Sequence, residues 1–303
     1  MRRLISIAAF IILIGSARIS TAQNNSDYGV DWQTDGVIAV GALAGTFFMM
    51  LVPVDNENRW DSELLGPLDE RTKDNFSRNA AHISDGLITT TVLAPLVLEA
   101  ARGFDEEAGR RTLLYGETLA TSLFANSVVK YVVQRPRPYV YHTDPGVKAW
   151  AAKQSDAQVS FYSGHASMSF SAATAGSILF SLSSESDGAK AAVWGTELAL
   201  ASATSVMRVR AGKHFTSDVL VGALAGTAIG VLVPALHTGS IYRPSALEWG
   251  AMVGGIGVGT LVAKVFPLSD QVDPLGKVGR LQSLKLAPLA TAQGGGLSLA
   301  AKF

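Results

Sequence analysis

Ser160-Phe161-Tyr162-Ser163-Gly164-His165-Ala166-Ser167-Met168 passes from a polar loop into a run of small apolar residues over 166–182. A serine hydroxyl can accept from the orphan amides of a helix's first turn. The stretch therefore reads as a helix beginning at Ser163. Runs of the same Ala, Leu, Gly, Val and Ser composition lie at 37–54, 86–101, 113–133, 190–207 and 217–236, and a weaker one covers 247–264. None alternates with the period of a half-buried strand, and all have helical lengths. The expected fold is all-α: a six-helix bundle, with the 247–264 run outside it.

Two features of those runs bear on packing. The heptapeptide VGALAGT occurs twice, at Val40–Thr46 and Val221–Thr227, each time with two glycines four residues apart. Domain duplication could produce such a repeat; small-residue surfaces that let helices approach closely explain it better. An apolar content of 48% and a mean hydropathy of +0.25 are high for a soluble globule of 303 residues and point toward a membrane. With 25 basic and 25 acidic residues the net charge is zero, so nothing suggests a nucleic-acid partner. The absence of cysteine excludes disulfides, thiolate nucleophiles and Cys-ligated metal centres.

The ends of the chain differ from its middle. Met1-Arg2-Arg3 is basic, Leu4–Gly15 is apolar but shorter than the roughly 20 residues of a spanning helix, and Ser20-Thr21-Ala22 offers small residues to a signal peptidase. Residues 1–22 are expected to be a cleaved signal, an uncleaved anchor being the alternative. An N-terminal helix and charged loop fill 23–80, the helical core 81–240, and an extra apolar segment with a linker 241–282. Residues 283–303 read as a β-hairpin around Gln-Gly-Gly-Gly. An outer-membrane barrel needs at least about eight such alternating segments, so a barrel is rejected.

Chemistry gathers at the ends of the runs. Lys130 closes the third, and Arg135-Pro136-Arg137-Pro138 stops the helix while the prolines stiffen two arginines suited to bidentate phosphate binding. Ser163 and the amides of Gly164 and His165 would form an anion site at a helix N-terminus, glycine allowing an oxyanion close approach. In "MRVRAGKHFTSDVLVG", Arg208 ends the fifth run, His214 follows, and Asp218 falls in the first turn of the next helix. His214 and Asp218 are close enough to hydrogen-bond, which would fix the imidazole tautomer as in a catalytic triad. Taken together these residues describe a phosphate site: Lys130, Arg137 and Arg208 as clamps, Ser163 and Gly164 as donors, two histidines and one carboxylate. No acidic cluster for magnesium and no three-histidine zinc set accompanies the motifs, so no metal or cofactor is expected there.

Lys130-x6-Arg137-Pro138, Ser163-Gly164-His165 and Arg208-x5-His214-x3-Asp218 resemble, in order and spacing, the three-part signature of the type-2 phosphatidic-acid phosphatase and vanadium haloperoxidase superfamily. The resemblance covers roughly residues 80–237. It implies that His214 attacks phosphorus to form a phosphohistidine, that Asp218 orients it, and that His165 protonates the leaving oxygen and then activates water. It further implies a phosphorylated lipid, isoprenyl diphosphate or small phosphoester as substrate. Tyr162 stands where the family usually has proline, and Met207 where it has serine. Histidines 82, 142 and 237 fall outside the motifs and read as structural, His142 being the exception to watch.

Two rival functions follow. A vanadate-dependent haloperoxidase would use the same constellation, but such enzymes are generally larger and soluble. A non-enzymatic membrane protein could keep the fold alone, but retention of both histidines, the aspartate and three cations argues against it. If every helix spans, all three motifs share one side, opposite the start of the first helix. A cleaved signal would then put the site in the cytoplasm, whereas family members generally act on the outer face. Asp85, Glu99, Glu117 and Glu197 interrupt or bound several runs, and such charges are costly at bilayer depth. The expectation is export to the envelope and membrane association with a periplasm-facing site, a soluble periplasmic protein being the alternative.

Overall fold

The computed structural model describes residues 28–54, 65–184 and 186–268, together with the backbone of two paired strands, Ser283–Thr291 and Gly294–Lys302. The expected signal peptide at 1–22 and the linker over 269–282 lie outside the described residues. Between residues 28 and 268 every regular element described is helical, in one 3-10 turn at Pro138–Val140 and nine α-helices. They are α1 (Trp32–Met50), α2 (Pro67–Glu70), α3 (Arg78–Ala101), α4 (Glu106–Val133), α5 (Pro145–Ala151), α6 (Gly164–Ser183), α7 (Asp187–Arg210), α8 (Thr216–Thr238) and α9 (Ala246–Val265).

The long helices start where a short polar side chain can cap them. Asp31, Ser77, Asp105, Ser163, Ser186 and Ser245 each accept from the amide three residues on, opening α1, α3, α4, α6, α7 and α9. The remaining long helix, α8, begins after Phe215, whose amide donates to the Asp218 carboxylate at 2.9 Å.

The expected six-helix bundle is corrected to seven long helices. The weak 247–264 run is a full helix, α9, packed along α7. A Cβ on Gly255 would stand 2.2 Å from the Gly195 carbonyl oxygen, and one on Gly259 2.1 Å from that of Ala199. Two of the glycines that dilute the apolar signal of this run, Gly255 and Gly259, let its backbone touch α7.

Close packing of the same kind joins α8 to α6. Hypothetical Cβ atoms on Gly222 and Gly226 would lie 2.6 and 2.1 Å from the carbonyl oxygens of Ser163 and Ser167. Any larger residue would push the two helices apart. The first copy of the repeat is used differently, because a Cβ on Gly41 would meet nothing within 4 Å. Helix α8 is thereby held against the start of α6, which brings two of the three motifs together.

Among the described residues four helices, α1, α3, α8 and α9, are long and apolar enough to cross a membrane. Phe47, Phe48, Leu224, Leu236, Val253 and Leu261 are among the large apolar side chains that α1, α8 and α9 leave exposed. A surface this apolar belongs in lipid rather than water. The chain reads as a membrane protein.

Candidate active site

The C-terminal ends of α4 and α7 and the N-terminal ends of α3, α6 and α8 converge at one end of the bundle, and every motif residue is there. A tight turn joins α7 to α8. Gly212 adopts φ +66°, and a Cβ there would fall 1.9 Å from the Asn75 carbonyl oxygen, so only glycine fits. The turn delivers His214 into the interior.

His214 is buried, and its Nδ1 lies 2.9 Å from the Ser160 carbonyl oxygen. That carbonyl can only accept, so Nδ1 carries the proton and Nε2 keeps its lone pair. Burial, and then the charges of Arg137, Arg208 and Lys130, hold the imidazole well below its ordinary pKa. It is a neutral imidazole whose Nε2 carries a lone pair. The expected direct bond from Asp218 is not made: Asp218 Oδ2 is 3.8 Å from Nδ1, beyond hydrogen-bond reach. Its carboxylate is engaged instead by Ser160 Oγ at 2.5 Å, the Phe215 amide at 2.9 Å and Arg135 Nη1 at 2.6 Å. Asp218 thus orients His214 through Ser160, whose hydroxyl it holds and whose carbonyl holds the imidazole.

Arg135 is the second residue whose place differs from the expected one. Its guanidinium bridges Asp218 and Asp69, with Nη2 2.8 Å from Asp69 Oδ2, and lies 4.3 Å over the Phe215 ring. Ser217 completes the knot by donating its amide to Asp69 at 3.0 Å. Burial alone would raise the Asp69 carboxyl, but the hydrogen bonds from Arg135 and Ser217 outweigh it and hold the group below the usual carboxylate range. Arg135 is therefore a positioning residue, and only one of the two proline-flanked arginines faces the pocket.

That one is Arg137. Its Nε donates to the Asp156 carbonyl oxygen at 2.8 Å, Nη1 to that of Lys213 at 3.0 Å, and Nη2 pairs with the Asp156 carboxylate at 2.9 Å. Arg208, also buried, reaches Ser84 Oγ at 3.2 Å and Asp85 Oδ1 at 3.3 Å through Nη1. Lys130 is so deep between them that burial, with the charges of Arg137 and Arg208, pushes its pKa down to about 7. Burial and Arg137 likewise lower Arg208 to about 10. Cations that depress one another in this way form a pocket in which an anion is strongly favoured.

Gly164 lines the same pocket. A Cβ there would stand 2.7 Å from Asn126 Oδ1 and 3.3 Å from Lys130 Nζ, so the backbone at the start of α6 runs close beside the Lys130 side chain. Ser163 caps that turn, donating its own amide to the Asp218 carbonyl oxygen at 3.0 Å. His165 follows, with Nε2 2.8 Å from Asp85 Oδ1. Burial and Arg208 lower its pKa to about 4, against the opposing pull of Asp85. One Asp85 oxygen thus sits between an imidazole and a guanidinium, the donors a phosphoryl oxygen would use.

Residues 111–242 match the PAP2 superfamily, a stretch that includes Lys130, Arg137, Ser163, Gly164, His165, Arg208, His214 and Asp218. This segment is a PAP2 superfamily domain. No curated protein and no solved structure matches the chain. Members of the superfamily are usually phosphatases.

Within the PAP2 domain, both departures from the usual signature turn out to be packing residues. Tyr162 is buried, and its carbonyl oxygen accepts from Asn126 Nδ2 at 2.8 Å, so it shapes the turn rather than the rim. Met207 is buried with Ala80, Ala211 and Ala263 in an apolar cluster. Several site residues carried no separable sequence signal. Lys213 adjoins His214 and is lowered to about 8 by burial, against Asp156; its place in the third motif could have revealed it. Asp69 and Asp85 precede the matched segment, and nothing in their spacing marks them.

Proposed function

We propose that the PAP2 domain is a metal-independent phosphatase that transfers a phosphoryl group to His214 and then to water. The observation that carries this reading is the fixed tautomer of His214, whose free Nε2 belongs to a pocket lined by Lys130, Arg137 and Arg208. Nε2 attacks phosphorus, the P–O bond to the leaving group breaks, and the alkoxide takes a proton from His165. The neutral His165 then removes a proton from water, which attacks the phosphohistidine and releases phosphate. The three cations stabilise the charge that spreads over the non-bridging oxygens. A bound phosphate dianion adds negative charge beside His165 and raises its pKa, supplying the acid form when it is needed.

The substrate class we favour is a phosphorylated lipid, a lipid phosphate or isoprenyl diphosphate, because the pocket opens at one end of a bundle with four apolar helices suited to a bilayer. Phosphate release from a lipid phosphate, an isoprenyl diphosphate and a soluble phosphomonoester, compared in wild type and His214→Ala, tests the reading. Loss of all release from a folded variant is expected; full activity in it would overturn the assignment.

We also favour a site facing the periplasm. The residues before α1 lie against the far end of α8, where the Gly29 amide donates to the His237 carbonyl oxygen at 3.0 Å. For a spanning bundle, this orientation and a signal cleaved after Ala22 exclude each other, and we retain the orientation. In this cysteine-free chain, labelling of Lys153→Cys by an impermeant maleimide on spheroplasts tests it, no labelling being the contrary result.

A further inference from the structure

Three ionisable side chains from three helices meet at the end of α8 away from the phosphate pocket. Asp35 lies in the first turn of α1, Glu117 within α4 and His237 in the last turn of α8. The two carboxylates are buried and the histidine is half-buried. His237 Nε2 is 3.3 Å from Asp35 Oδ1 and 3.4 Å from Glu117 Oε2, and one donor atom from each residue lies within 4.8 Å of the others. Glu117 Oε2 has no hydrogen-bond partner although it is buried and faces the cluster.

Two of the three donors are also oriented from behind. His237 Nδ1 donates to the Val233 carbonyl oxygen at 2.9 Å, which leaves the Nε2 lone pair facing the two carboxylates. The second Asp35 oxygen accepts from the Asp31 amide at 2.7 Å. An imidazole fixed through its other nitrogen to a carbonyl is the usual arrangement behind a metal-ligating histidine. Among the described residues, no lysine or arginine pairs with either carboxylate; His237 is the sole ion-pair partner of both.

We infer that Asp35, Glu117 and His237 bind a divalent transition-metal ion of the zinc class. Two buried carboxylates need positive charge, and a cation with three protein donors would supply it while using the orphan Glu117 oxygen. Bonds of about 2.0–2.1 Å in tetrahedral geometry separate ligand atoms by about 3.3–3.4 Å, close to the two edges already present. An imidazole among the donors favours zinc-like ions over magnesium or calcium, which prefer all-oxygen shells. The site lies about 28 Å along α8 from Asp218, at 1.5 Å per residue, so its ion takes no part in phosphoryl transfer. It pins the start of α1 to α4 and α8, beside the Arg110 Nη1 bond to the Val30 carbonyl oxygen at 2.7 Å. His237, which sequence spacing marks as structural, becomes a ligand.

The full chain in detergent, stripped with a chelator and re-equilibrated with Zn2+ or Co2+, tests the inference. The expected result is one equivalent of zinc per chain and visible bands of tetrahedral Co2+. Glu117→Gln and His237→Gln should each weaken Zn2+ binding at least tenfold and abolish the zinc-dependent rise in Tm. His214→Ala should bind zinc as wild type does, which separates this site from the phosphatase reading. Should one ligand variant misfold, Asp35→Asn gives the same readout. Absence of stoichiometric zinc, or binding undiminished in the ligand variants, would overturn the site.

Discussion

The two ends of α8 bury carboxylates in opposite ways. At the start, Asp218 accepts from Arg135, Ser160 and Phe215, so its charge is spent on holding other groups in place. Toward the finish, Glu117 keeps an oxygen without a hydrogen-bond donor, and among the described residues its ion-pair partner is a histidine that Asp35 shares. Burial alone does not distinguish them. The difference lies in how many acceptor sites are already satisfied: a satisfied carboxylate is a positioning device, and an unsatisfied one calls for a ligand.

Removing charge at each end should therefore have opposite consequences. Arg135→Met leaves Asp218 and Asp69 buried without their cation, and should cost about 3–5 kcal/mol of unfolding free energy together with more than tenfold in kcat. Glu117→Gln removes a charge that no arginine or lysine pairs, so chelator-treated protein should be as stable as wild type or more so. Denaturant titration in detergent compares the two, and equal losses would break the distinction.

A smaller effect sharpens it through ligands. Inorganic phosphate at 100 times its Kd should stabilise the protein by about 2.7 kcal/mol, the mass-action value for one site. That gain should persist in Glu117→Gln and disappear in Arg208→Gln, as read from Tm; its loss in Glu117→Gln would mean that the two ends are not independent.

The smallest expected effect is a displacement of the pH profile. Under the proposed mechanism Lys130, with a pKa lowered to about 7, would clamp phosphate only while protonated, so kcat/KM should fall as pH rises through 7. His214, neutral until well below its ordinary pKa, imposes no loss on the acid side of that range. An arginine keeps its charge, so in Lys130→Arg the fall should move up toward pH 8, where Lys213 begins to lose its proton. An unmoved profile would take Lys130 out of the pocket.

Much of the site was legible in the sequence because its residues lie in three short motifs at helix ends, where caps, prolines and charge stand out against apolar runs. Ser163 opens α6 as its capping chemistry predicts, and the residues of the three motifs converge. What escaped are partners from distant segments. Asp69 and Asp85 are ordinary acids in sequence, and only the packing of α2 and α3 brings them to Arg135 and His165. The direct Asp218–His214 bond was a reasonable inference from spacing, but Ser160 intervenes. Helix α9 is weak in sequence for a related reason: hydropathy penalises its glycines, whereas close backbone contact with α7 depends on two of them, Gly255 and Gly259. The repeated VGALAGT makes the same point, since its first glycine packs tightly at Gly222 and faces open space at Gly41.

The central claim is that His214 Nε2 becomes phosphorylated. Rapid acid-free quenching of wild type turning over a 32P-labelled lipid phosphate, followed by proteolysis and mass spectrometry, tests it most directly. The account predicts an acid-labile, alkali-stable phosphate on the peptide containing His214 and none in His214→Ala. Phosphate release by wild type with no label on His214, or with label on another residue, would contradict it.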